Sequence, residues 1–120
     1  MDKKEFQDRT KQLAIRVIRM SNSMPSTMAA DVVGRQIIRC ASSVGSNYRA
    51  ACRAKSTKDM INKLKIVEEE ADETLFWLEI ITETELLPSP KLQNLMQETN
   101  ELLAMTVSSI NTLRRNNRKS

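Results

Sequence analysis

The sequence predicts an all-α fold, an up-and-down antiparallel four-helix bundle, and three observations carry that reading. The 120 residues include only 2 Gly and 3 Pro, and residues that lose little in a helix dominate the rest. Apolar residues recur at alternating spacings of three and four over four segments, about 3–22, 27–54, 57–85 and 90–115. Only a few breakers separate these segments, and such short connections force neighbouring helices to run antiparallel. A chain of this length holds one domain around one core.

The first segment places Phe6, Thr10, Leu13, Val17, Met20 and Met24 on one stripe. Asp2, Glu5 and Asp8 stand at its start, where they suit the helix dipole. Polar residues around Pro25 end it, since the residue before a proline avoids helical geometry.

In the second segment each residue turns about 100° from the last. Taking Arg35 as zero, Arg39 falls near 40°, Arg49 near −40° and Arg53 near 0°, with Ser42 and Ser46 between them. Four arginines thus share one stripe, and Ile37, Cys40, Ala41, Val44, Tyr48 and Ala51 form the opposite, core face. Gly45 inside a helix costs about 1 kcal/mol relative to Ala, which close packing by a neighbour would offset. Gln36, Ser43 and Asn47 make a second polar edge, expected to face another subunit or a ligand.

Ser56 and Asp59 have the spacing of a capping box and open the third segment. Met60, Leu64, Val67, Ala71, Thr74 or Leu75, Leu78 and Ile81 supply its core stripe. Ile66, Glu70, Glu73, Trp77 and Ile80 make a second stripe, offset by roughly 120°. Two apolar-containing faces imply two partners, the core and most simply another subunit, so these residues and Asn47 are the candidate oligomer interface. Glu70 and Glu73 need cationic partners there, and Arg49 and Arg53 are the candidates. Ser89 and Pro90 then suit the cap and first position of a fourth helix. Its core is Leu92, Leu95, Thr99, Leu102, Thr106, Ile110 and Leu113, followed by a basic tail, 114–120, expected to fray.

The net charge of +4 is modest, but it is unevenly spread. Residues 1–55 carry 11 basic and 4 acidic groups, residues 56–87 carry 3 and 9, and residues 88–120 carry 5 and 2. That segregation is more informative about partners than the total. No apolar run approaches the roughly 20 residues that span a bilayer, so no membrane association is expected. The charged start, residues 2–5, does not resemble a signal peptide. Cys40 and Cys52 lie twelve residues apart on one helix, roughly 18 Å, too far for a disulfide; reduced thiols and a cytoplasmic location are expected.

With no His, the chain lacks a base for Ser42, Ser43 or Cys40 as nucleophile. It also lacks the Glu-x-x-His motif that would make Glu68, Glu69, Glu70 and Glu73 a metal site. No cofactor and no enzymatic activity are expected. Four aromatic residues are too few to suggest a stacking platform for single-stranded bases.

The stretch Gly34-Arg-Gln-Ile-Ile-Arg-Cys-Ala-Ser-Ser-Val-Gly-Ser-Asn-Tyr-Arg-Ala-Ala-Cys-Arg resembles the signature of small bacterial four-helix bundle proteins. These are encoded in intervening sequences of 23S ribosomal RNA genes. Glu68-Glu-Glu-Ala-Asp-Glu-Thr-Leu-Phe-Trp-Leu-Glu-Ile-Ile resembles the family's third-helix motif. The resemblance implies a ring-like homopentamer of up-and-down bundles. It brings no settled activity with it, and the ribosomal label reflects gene location more than membership of the ribosome. A more distant similarity is to the accessory protein of diversity-generating retroelements, which binds reverse transcriptase and nucleic acid.

Two functions follow. Arg35, Arg39, Arg49 and Arg53 suit RNA or DNA phosphate, since guanidinium forks match phosphate oxygens. Alternatively these arginines pair with glutamates of the third helix, and the protein is a structural or adaptor oligomer that recruits a protein partner.

Overall fold

The computed structural model describes residues 2–119 and has the expected architecture: α1 (Lys3–Asn22), α2 (Met28–Cys52), α3 (Thr57–Glu83) and α4 (Pro90–Lys119). The helices alternate in direction and form a rod of 53 × 21 × 20 Å. Adjacent helices in sequence pack along their length, whereas α1 meets α4 only sparsely. That seam is the open side of the bundle.

Side-chain oxygens set three of the helix starts. Asp2 accepts from the Glu5 amide at 2.7 Å, Thr27 from Ala30 at 3.1 Å, and Ser56 from Asp59 at 3.1 Å, each satisfying an amide with no helical partner. Asp59 reaches back to the Lys55 amide at 3.2 Å, one residue earlier than a standard capping box. Before α4, the Ser89 carbonyl accepts from the Leu92 amide at 2.9 Å. The end of α3 is a Schellman turn. Glu85 takes φ 58°, its amide bonds to the Thr82 carbonyl, and Leu86 bonds to Ile81 at 3.1 Å. This turn reverses the chain tightly and sets α4 alongside α3.

The core follows the stripes read from the sequence, with one shift: Ile61 rather than Met60 is buried at the start of α3. Thr74, not Leu75, takes the core position in mid-α3. Leu13, Ile37, Leu64, Leu78, Ile81, Leu92 and Leu102 are fully enclosed, and each such side chain contributes about 1.5–3 kcal/mol by leaving water. Thr10, Thr74, Thr99 and Thr106 are buried without penalty, because each hydroxyl donates to a carbonyl of its own preceding turn at 2.7–3.0 Å. Gly45 lies where α1 and α2 cross closely. A Cβ there would stand 3.3 Å from Thr10 Oγ1 and 3.4 Å from its backbone carbonyl.

At the C-terminus the expected helix boundary is corrected: α4 continues beyond 115 to Lys119. Its last buried residue is Ile110, and 114–118 are exposed. Ser120, the end of the expected tail, lies outside the described residues.

Candidate functional site

The antiparallel register of α2 and α3 decides which charges meet. Cys40 lies beside Thr74, with 3.3 Å between Sγ and the hydroxyl. Arg39 is therefore level with the middle of α3, where it pairs with Glu70 at 3.2 Å and with Glu73. Within one chain, then, Arg39 holds these glutamates, where Arg49 and Arg53 were the expected partners. In the same register those two fall level with residues near 65 and 61, roughly one and a half to three turns closer to the α2–α3 connection. Glu73 also accepts from Trp77 Nε1 at 3.1 Å, and Gln36 accepts from Arg39 at 3.3 Å. Arg39 is half exposed, so the pairs themselves contribute little, about 0–1 kcal/mol each. Their larger effect is to fix the Trp77 ring on the α2–α3 surface.

Around this network lies the candidate interface. Ile66 is 40% exposed, while Trp77 and Ile80 rest half-buried against the edge of the core. Asn47 sits on the same side but is turned to its own helix, donating to the carbonyl and hydroxyl of Ser43 at 2.9 Å. Two members of this surface escaped the sequence reading. Phe76 is 51% exposed and stacks edge-on to Trp77 with ring centroids 5.0 Å apart, and Val32 of α2 is 54% exposed. The available signal was a Phe belonging to neither apolar stripe of α3.

The arginine stripe is real as geometry but not as one site. Arg35, Arg49 and Arg53 are exposed, and among the described residues none of them has an ion pair. Arg35 and Arg53, eighteen residues apart, are separated by roughly 27 Å along the helix. Arg39, at the α3 side of the stripe, pairs with that helix, whereas Arg49, at the other side, borders α1 together with Gln7 and Lys11.

The Cys40 thiol is a poor nucleophile. Cys40 is fully enclosed, and burial pushes its thiol up from the ordinary value. Cys40 and Cys52 are both free. Among the described residues no three His, Cys, Asp or Glu side chains gather as metal ligands, and no described helix is long and apolar enough to cross a membrane.

The comparisons with known proteins agree with this architecture. Among solved structures, the chain is similar to a protein of unknown function from the S23 ribosomal protein family of Bacteroides thetaiotaomicron. The two are 30% identical with a TM-score of 0.85, over 92% of this chain and 99% of that one. The comparison with curated proteins gives no match. The profile of the 23S rRNA-intervening sequence proteins matches residues 2–108. With that match over nearly the whole chain and the four-helix architecture beneath it, the chain belongs to the 23S rRNA-intervening sequence protein family.

Proposed function

We propose that the protein is a non-catalytic, cytoplasmic homo-oligomer that binds nucleic acid, RNA foremost, as an accessory protein. The observation that carries this reading is the state of the α2 arginines. Arg39 is engaged by Glu70 and Glu73, but Arg35, Arg49 and Arg53 point cationic groups to solvent with no carboxylate partner among the described residues. Guanidinium groups free of carboxylates match phosphate oxygens at no cost in broken ion pairs. Self-association is supported by the surface of Ile66, Phe76, Trp77 and Ile80, which is more apolar than a solvated helix face needs to be. The sequence resemblance supports five copies in a ring.

The test is fluorescence anisotropy with a structured ribosomal RNA fragment across a salt series, with light scattering on the same samples. Salt-sensitive binding that the combined Arg35→Ala, Arg49→Ala and Arg53→Ala substitutions weaken at least about tenfold, with the oligomer intact, is the expected result. An intact oligomer that binds no RNA at low salt sinks the proposal. The adaptor reading would then take over, and the half-exposed Phe76 beside the anchored Trp77 is the observation in its favour, since aromatic anchors dominate protein interfaces.

A further inference from the structure

We infer that one end of the bundle, built from the α2–α3 connection and the last turns of α4, grips the phosphate backbone of a nucleic-acid double helix without reading its bases. This inference rests on the nucleic-acid reading above and locates a contact outside the α2 stripe. Its first support is charge. Residues 53–65 carry five cations and a single carboxylate, Asp59, which is itself paired with Lys63 at 2.8 Å. After Ile110, α4 adds four cations, the exposed Arg114, Arg115 and Arg118 together with Lys119, and no Asp or Glu. The side chains of this end therefore carry a net charge of +8, against +4 for the whole chain. The remainder of the rod is net negative, so the field of the molecule points out of this end.

The second support is shape. Arg9 is bound to Glu98 at 2.6 Å and Glu101 at 3.1 Å, which fixes α1 against α4. In that antiparallel register the start of α1 lies level with α4 near residue 107, and α4 runs on for about twelve residues, roughly 18 Å. The first turn of α1 stops at that level, short of the α4 tip; it stands beside the start of α3, but its Asp2 and Glu5 are matched by Lys3 and Lys4, so it leaves the charge of this end unchanged. Because the turn after α3 brings α4 back alongside it, the cations at the start of α3 and at the end of α4 stand on neighbouring helices. Lysines and arginines spread over two adjacent helix ends suit a row of backbone phosphates.

The third support selects the double helix over a single strand. The aromatic residues nearest this end, Phe6 and Tyr48, are buried and packed on each other with centroids 4.4 Å apart. The exposed Phe76 lies about 28 Å up α3, among acidic residues. A single-strand groove needs aromatic faces on which bases stack, and this end offers none. Its recognition is through phosphate charge, which carries no sequence information.

The full-length protein and the combined variant Arg114→Gln, Arg115→Gln, Arg118→Gln are titrated with 20-base-pair duplexes of DNA and of RNA, and with single strands of equal length. These three residues lie beyond the buried part of α4, so the fold and assembly persist, as circular dichroism and light scattering would verify. Expected are tighter binding of duplex than of single strand, equal binding of shuffled sequences, and at least a tenfold loss in the variant. The slope of log K against log salt should fall by about 2–3. Comparing the DNA and RNA arms identifies which duplex is preferred. Wild-type binding that the variant retains with an unchanged slope overturns the tip inference and leaves the α2 arginines as the site. A preference for single strands also overturns it. No binding by the wild type overturns both the inference and the reading beneath it.

Discussion

Gly34 and Gly45 are the only glycines, both on α2, and they respond differently to the same change. A Cβ at Gly34 would meet only the terminal methyl of Met24 at 3.4 Å and Ser21 Cβ at 4.0 Å. The Met24 methyl moves easily, so Gly34→Ala keeps the packing and gains helix propensity. It should stabilise the fold by about 0.5–1 kcal/mol in a urea titration. A Cβ at Gly45 would crowd Thr10 Oγ1 at 3.3 Å, a hydroxyl held by its bond to the Gln7 carbonyl, with the immovable Thr10 backbone 3.4 Å away. Gly45→Ala should therefore destabilise by about 1 kcal/mol despite its gain in helix propensity, and equal midpoints for the two alanine variants would refute the close crossing of α1 and α2. The sequence signalled the crossing through an isolated mid-helix glycine, but only the structure identifies Thr10 as the residue that needs the space.

At the scale of elements, the weak point is the sparse seam between α1 and α4, which a fork of Arg9 onto Glu98 spans at 3.0 and 2.6 Å. The Arg9 guanidinium holds the Glu98 carboxyl below the usual glutamate range, chiefly through this hydrogen bonding. The folded-state pKa is lower than the unfolded one. The pair therefore stabilises the protein at pH values above the unfolded glutamate range, and the contribution is lost as pH falls through the folded value. Glu98→Gln should lower stability by about 1–2 kcal/mol at neutral pH, a gap that closes in acid. A gap of constant size from neutral to acid pH would show that the pair does not govern the seam. Nothing in the sequence marked Arg9 or Glu98, because their partnership spans 89 positions and depends on how the first helix meets the last.

For the molecule as a whole, the exposed apolar side chains of α3 make a prediction about assembly. Phe76 is half exposed and outside the core, so Phe76→Glu should leave the monomer folded. Placing a charge at the centre of the proposed contact should dissolve the oligomer. Light scattering should then fall to the 13.7 kDa of one chain while helix content stays constant. An unchanged mass would move the contact to another face of the rod.

What the sequence determined by itself was everything local. Stripes such as Phe6-Thr10-Leu13-Val17 and Leu92-Leu95-Thr99-Leu102, the cap at Ser56, and the sparse breakers specify four helices and their buried faces. This follows because helix period and capping chemistry act over a few residues. Register between helices is not local, and only the tertiary structure decided it. Sliding α2 by roughly three turns along α3 would have given Glu70 and Glu73 to Arg49, and by roughly four to Arg53, yet the packing of Cys40 on Thr74 gives them to Arg39. Likewise the chain reads as basic, acidic and basic thirds, but alternating helix directions re-sort those charges along the rod. They gather Arg53, Lys55, Lys58 and the α4 arginines at one end, a grouping fixed by topology because no segment of the sequence contains it.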